Sequence, residues 1–134
     1  MPILKRPERI KELPRFRGVS DAHMNQIAAA GSIVTVPERW SMIIEGSPPD
    51  QVYLIMAGQV VVRRQGEEIA RLSPGDIVGE MSLHEHRLRT ATVTAETPLE
   101  LLHLTREAFG RLYDEVPDFR DAVDATVAER LDSD

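Results

Sequence analysis

Val52-Tyr53-Leu54-Ile55-Met56-Ala57-Gly58-Gln59-Val60-Val61-Val62-Arg63-Arg64-Gln65-Gly66-Glu67-Glu68-Ile69-Ala70-Arg71-Leu72-Ser73-Pro74-Gly75-Asp76-Ile77-Val78 is the stretch that decides the fold. Its β-prone runs, Val52 to Met56, Gln59 to Arg64, Glu68 to Leu72 and Ile77 to Val78, are separated by Ala57-Gly58, Gln65-Gly66 and Ser73-Pro74-Gly75-Asp76. Pro presets φ at the first central position of a type II turn and Gly accepts the positive φ of the second, so Ser73 to Asp76 is predicted to be such a turn. The same texture extends outward in both directions, with further runs at Ile33 to Val36, Ser41 to Ile44, Thr90 to Ala95 and Leu99 to Leu104. Short strands with turn signals about every 8 to 12 residues have the spacing of an antiparallel sandwich or barrel.

Helical periodicity appears on both flanks. Ser20 is a candidate N-cap for a helix over Asp21 to Ala30, where Met24, Ile27 and Ala28 recur at i, i+3, i+4 and Gly31 follows as a stop. Leu13, Phe16 and Val19 are expected to pack on it. Beyond Thr105, Ala108, Phe109, Leu112 and Tyr113 share one side of a helix over Arg106 to Tyr113, and Pro117 restarts a second helix at a position suited to N1. Phe119, Val123, Val127 and Leu131 form a narrow apolar stripe on that second helix, flanked by Ala122 and Thr126. The stripe has two uses open to it: closing the core, or serving as a dimer seam or movable lid. The expected order is one helix, eight strands, then two helices.

The chain has 134 residues, enough for one domain but not for two well-cored ones. Its 22 acidic and 16 basic residues give a net charge of −6, which argues against a broad nucleic-acid-binding surface. The charge is unevenly spread. Residues 1–19 carry six bases and two acids, whereas residues 114–134 carry two bases and eight acids. The absence of cysteine excludes a disulfide scaffold, a thiol nucleophile and a thiolate metal site. The basic N-terminus lacks an apolar targeting core, and the longest apolar stretch, Val52 to Gly58, is far short of the roughly 20 residues that cross a bilayer. A cytoplasmic protein without membrane contact is expected.

Between the strands ending at Val78 and starting at Thr90 lies the densest group of unusual residues, Gly79-Glu80-Met81-Ser82-Leu83-His84-Glu85-His86-Arg87-Leu88-Arg89. Loops inserted into compact β-domains often carry function. Glu80 to His86 has the length of two helical turns, whose unpaired N–H groups at Met81 to Leu83 would make an anion cradle. Arg89 adds a planar fork suited to phosphate.

This segment resembles the phosphate-binding cassette of the cyclic nucleotide-binding domain family. Gly79, Glu80, Met81, Ser82, Leu83, Arg89, Thr90, Ala91 and Thr92 match it at the same spacing. The resemblance extends to Glu45-Gly46, Tyr53 to Gly58, Pro74-Gly75-Asp76 and the flanks Leu13-Pro14-Arg15-Phe16 and Leu104 to Phe109, covering about Leu13 to Leu131. It implies a mainly β fold with flanking helices, an eight-stranded jelly-roll-like β-roll (double-stranded β-helix) like the effector domain of catabolite activator proteins. Its parts would be a basic N-terminal segment over 1–12, a helical part over 13–32, the roll over 33–104 with the cassette at 79–92, and C-terminal helices over 105–131. A helix-turn-helix domain has no room in a chain of this length, so a sensor with no effector of its own is expected.

The resemblance also implies roles. Arg89 would bind the exocyclic phosphate oxygens, and Glu80 would accept from the ribose 2′-OH. Backbone N–H groups near Ser82 and Leu83 would complete the cradle, with Gly79, Met81 and Thr90 as further contacts. Val62, Leu72 and Ala91 would pack on base or sugar. An ion pair joining loop to roll is the bland reading of Arg89 and Glu80. The implied ligand is cAMP, or less readily cGMP, without a cofactor or catalysis. The implied partners are the nucleotide and either a protein or a second copy meeting the C-terminal helix.

This chain departs from the family pattern at His86 and Leu88, where Gly and Pro are usual, and at Glu38-Arg39-Trp40, where a Gly is common. These departures leave open a domain that keeps the fold as a dimerisation or docking module. A His-x-His pair, His84 and His86, also resembles the metal motif of cupin enzymes. The expected Glu and third His are misplaced, since Glu96 and His103 come late and Arg87 and Arg89 would repel a divalent cation.

Overall fold

The computed structural model describes residues 6–48, 51–79 and 91–133, with side chains described between residues 8 and 125 of these. Helices α1 (Arg6–Lys11) and α2 (Asp21–Ala30) precede eight strands: β1 (Ser32–Val36), β2 (Ser41–Ile43), β3 (Gln51–Ala57), β4 (Val60–Arg64), β5 (Glu67–Leu72), β6 (Ile77–Val78), β7 (Thr92–Ala95) and β8 (Leu99–Thr105). Helices α3 (Arg106–Glu115) and α4 (Pro117–Ser133) follow. The strands form two four-stranded antiparallel sheets, ordered β1-β8-β3-β6 and β2-β7-β4-β5, which is the expected jelly-roll-like arrangement.

The all-apolar run of β3 follows from its place in the first sheet, which is covered on both faces. Alternate residues Val52, Leu54 and Met56 join Leu102 and Leu104 under the helices, against Phe16, Met24, Ile27, Phe109 and Phe119. Tyr53 and Ile55 point the other way, joining Leu99, Leu101, Val60, Val78 and Val93 between the sheets. Phe16 and Phe119 are fully buried, so truncating either to Ala would cost about 3–5 kcal/mol. Phe109 meets Phe119 edge-on at 5.7 Å and so packs α3 against α4.

Local signals place the helix ends. Ser20 Oγ accepts from the His23 N–H at 3.2 Å, and Thr105 Oγ1 accepts from the Ala108 N–H at 3.1 Å, so Thr105 both ends β8 and caps α3. Pro117 opens α4, as its fixed φ favours. Phe119, Ala122 and Val123 are buried in the core; Val127 and Leu131 lie outside the described side chains.

The structure corrects the sequence reading at its edges. Residues 1–12 were expected to be a basic segment before the first helix, yet α1 occupies Arg6–Lys11. Six residues are too few to show a period, and Ile10, fully buried, is the apolar anchor in its second half. Strand β2 ends at Ile43, leaving Ile44 59% exposed, and α3 runs on to Glu115. Strand β7 begins at Thr92, and Thr90 lies outside the described residues.

Candidate functional site

The predicted cassette is anchored at two described ends. Gly79 follows β6, whose Val78 pairs with Tyr53, and has a φ of 97°, a left-handed conformation that favours glycine. Ala91 is half-buried immediately before β7. The segment between them therefore joins the edge strand of one sheet to an inner strand of the other. Glu80, Met81, Ser82, Leu83, Arg89 and Thr90 all fall within residues 80–90, outside the described residues, as do His84 and His86.

Val62 and Leu72 are brought together. The cross-strand pairs Val60↔Leu72 and Val62↔Ala70 put them on the inward face of β4 and β5. Both are half-buried against the cluster that contains Val78 and Val93, one residue before Gly79 and two after Ala91. Val62 and Leu72 each keep part of their apolar surface exposed, of the kind that packs on a flat ring or a sugar.

The turn leading into Gly79 is unusually well held. Asp76 N–H donates to the Ser73 carbonyl at 3.0 Å and Gly75 has a φ of 96°, which is the predicted turn. A second turn packs against it: Phe16 N–H donates to the Leu13 carbonyl at 3.1 Å, with Pro14 and Arg15 central and Arg15 at a φ of 72°. A Cβ on Gly75 would lie 2.9 Å from both Cδ and the carbonyl oxygen of Pro14, so the two turns touch. Arg15 Nη1 donates to Asp76 Oδ1 at 2.7 Å, while Asp76 Oδ2 accepts from the Ser73 N–H at 2.9 Å. The Arg15 and Asp76 side chains are only 20% and 18% exposed.

A polar set not foreseen from sequence lies on the inner face of the first sheet. Tyr53 Oη donates to Gln51 Oε1 at 3.1 Å, and His103 Nε2 bonds the same oxygen. Tyr53 and His103 are cross-strand partners with ring centroids 5.5 Å apart. The signal for this set is parity: Gln51 and Tyr53 are two apart on β3 and face one partner on β8, but strand periodicity alone does not say which pairs register. Among the described residues no three His, Asp or Glu side chains come close enough to hold a metal ion.

Helix α4 is tied to its neighbours through carboxylates. Asp118 Oδ2 stands 2.9 Å from His23 Nδ1 and accepts from the Ser20 N–H at 3.3 Å. The His23 bond first, then the Ser20 N–H, hold the Asp118 carboxyl below the usual carboxylate range. Tyr113 Oη donates to Asp124 Oδ1 at 2.8 Å, and that bond, with burial and the carboxylate charge, pushes the phenol up.

Comparison with known proteins gives this geometry a family. Residues 34–116 match the family described as cyclic nucleotide-binding domain, and the chain belongs to it. The cAMP-dependent protein kinase regulatory subunit of Yarrowia lipolytica is 34% identical over 111 residues, which are 81% of this chain and 30% of that one. The chain thus spans under a third of that relative's length. Among solved structures, the catabolite activator protein of Thermus thermophilus is 29% identical with a TM-score of 0.76, covering 89% of this chain and 58% of that one. A cAMP-binding acyltransferase from Mycobacterium smegmatis is 26% identical with a TM-score of 0.80, covering 96% and 41%. Among the described residues no helix is long and apolar enough to cross a membrane.

Proposed function

We propose that this domain binds a cyclic nucleotide, cAMP in preference to cGMP, and signals its presence to a protein partner through the C-terminal helices. The observation that carries the reading is the coincidence of two things. The family match spans Gly79 to Ala91, and the roll leaves Val62 and Leu72 half-buried against the cluster that includes Val78 and Val93, close in sequence to those anchors. The relatives named above support cAMP, since each of the kinase subunit and the acyltransferase carries cAMP in its description.

In this reading Arg89 holds the exocyclic phosphate oxygens and Glu80 accepts from the 2′-OH. The backbone at Gly79, Met81, Ser82 and Leu83, with Thr90, completes the cradle, and Val62, Leu72 and Ala91 support base and sugar. A single phosphate needs one fixed cation and several N–H dipoles, and an acidic chain of net charge −6 repels it anywhere the sign is not locally reversed. The output requires that ligand bind one placement of α4 better than another. Asp118 and Asp124 are the contacts such a shift would break or remake. No chemical step is assigned to the chain, and the expected setting is the cytoplasm.

His86 and Leu88, standing where the family has Gly and Pro, favour a second reading in which the roll docks or dimerises without ligand. Titration calorimetry with cAMP, cGMP and 2′-deoxy-cAMP separates the two. The proposal expects cAMP to bind most tightly and the deoxy analogue to lose about tenfold or more, because Glu80 is left without its hydroxyl partner. Failure of both natural nucleotides to bind would leave the docking reading.

A further inference from the structure

We propose that Arg15 is a positioning residue for the nucleotide site, acting through Asp76. The inference rests on the ligand-binding reading above and adds to it a residue from outside the roll. Arg15 stands at a φ of 72°, where a side chain is strained and glycine is not. What it supplies there is a guanidinium 2.7 Å from the Asp76 carboxylate, in a pair about four-fifths buried on each side. The other Asp76 oxygen closes the Ser73–Asp76 turn by accepting from the Ser73 N–H. The same turn is pinned to β3 by Gly75 N–H donating to the Ile55 carbonyl at 2.9 Å and Ile55 N–H donating to the Asp76 carbonyl at 3.0 Å.

Only two residues, Ile77 and Val78, separate Asp76 from Gly79, and they are the whole of β6. So short an edge strand has little pairing of its own: Tyr53↔Val78 and Leu54↔Ile77 are its register. Its placement, and with it the place and direction in which the chain leaves Gly79, depends on the turn that Arg15 braces. Fixing an anchor before the ligand arrives lowers the ordering cost of binding, so releasing the brace weakens affinity through the turn itself.

Calorimetry with cAMP and thermal melts on wild type, Arg15→Ala, Arg15→Gly and Arg15→Lys test this. Arg15→Gly relieves the backbone while deleting the ion pair, so it is expected to melt higher than Arg15→Ala yet to bind as weakly, about tenfold below wild type. Arg15→Lys, which keeps a cation for Asp76, is expected to recover most of the affinity. Wild-type affinity in Arg15→Gly, or affinities that rise and fall with melting temperature across the set, would overturn the positioning role alone. A wild-type protein that binds no cyclic nucleotide would overturn the ligand-binding reading and this inference with it.

Discussion

Arg39 has a φ of 74°, and its N–H donates to the Ala95 carbonyl at 2.7 Å while Ala95 N–H donates to the Trp40 carbonyl at 2.8 Å. The left-handed residue is thus clamped where the chain turns into β2. This is the turn at which related domains commonly carry glycine. A left-handed non-glycine residue costs about 1–2 kcal/mol. Part of that gain is offset because glycine loses more entropy on folding. Arg39→Gly is therefore expected to raise stability by about 1 kcal/mol in urea unfolding with an unchanged slope. A loss of stability would mean that the Arg39 side chain contributes more than its backbone costs.

Gly58 is the opposite case. Its φ is 96°, and an added Cβ would lie 2.4 Å from the Pro98 carbonyl oxygen and 2.7 Å from Leu99 Cδ2. The first of these is backbone and cannot rotate away. Gly58→Ala combines a left-handed strain with overpacking and is expected to cost about 3 kcal/mol or more, read as a lowered denaturation midpoint. A change under about 0.5 kcal/mol would show that the β3–β4 turn relaxes freely, in the range of ordinary surface substitutions.

The Asp118 carboxyl is held below its ordinary range in the folded protein, chiefly by His23. A depressed carboxylate stabilises the fold at pH above its unfolded value, about 3.9, and loses that contribution as pH falls through the folded value. Asp118→Asn is accordingly expected to melt below wild type at pH 7, with the difference shrinking below about pH 4. Melts of both proteins from pH 7 to 3 check this. A difference independent of pH would remove the carboxylate's charge from the account of how α4 is docked.

Much of the fold was legible because its signals are local. Ser20 and Thr105 cap their helices through N–H groups three residues on, Pro74-Gly75 makes its turn within four, and several strand runs are bounded by their own glycines. What escaped is long-range or short. Helix α1 is a single turn and a half with Ile10 as its buried apolar residue, and no periodicity can be read from that. Arg15 meets Asp76 across 61 residues of sequence, and neither residue's neighbours announce the pairing. Gln51, Tyr53 and His103 converge only once β3 and β8 are in register. At the candidate site the family pattern named Gly79, Glu80, Arg89, Ala91, Val62 and Leu72 alike, and the fold adds the left-handed conformation of Gly79 and the half-buried positions of Val62 and Leu72.

Nucleotide binding through Arg89 is the central claim, and titration calorimetry with cAMP on wild type and Arg89→Ala tests it most directly. Deleting one partner of a buried, hydrogen-bonded charged contact costs about 3 kcal/mol or more, so the account predicts binding by wild type that the variant weakens by about a hundredfold or more. Equal and feeble binding by both proteins would contradict it.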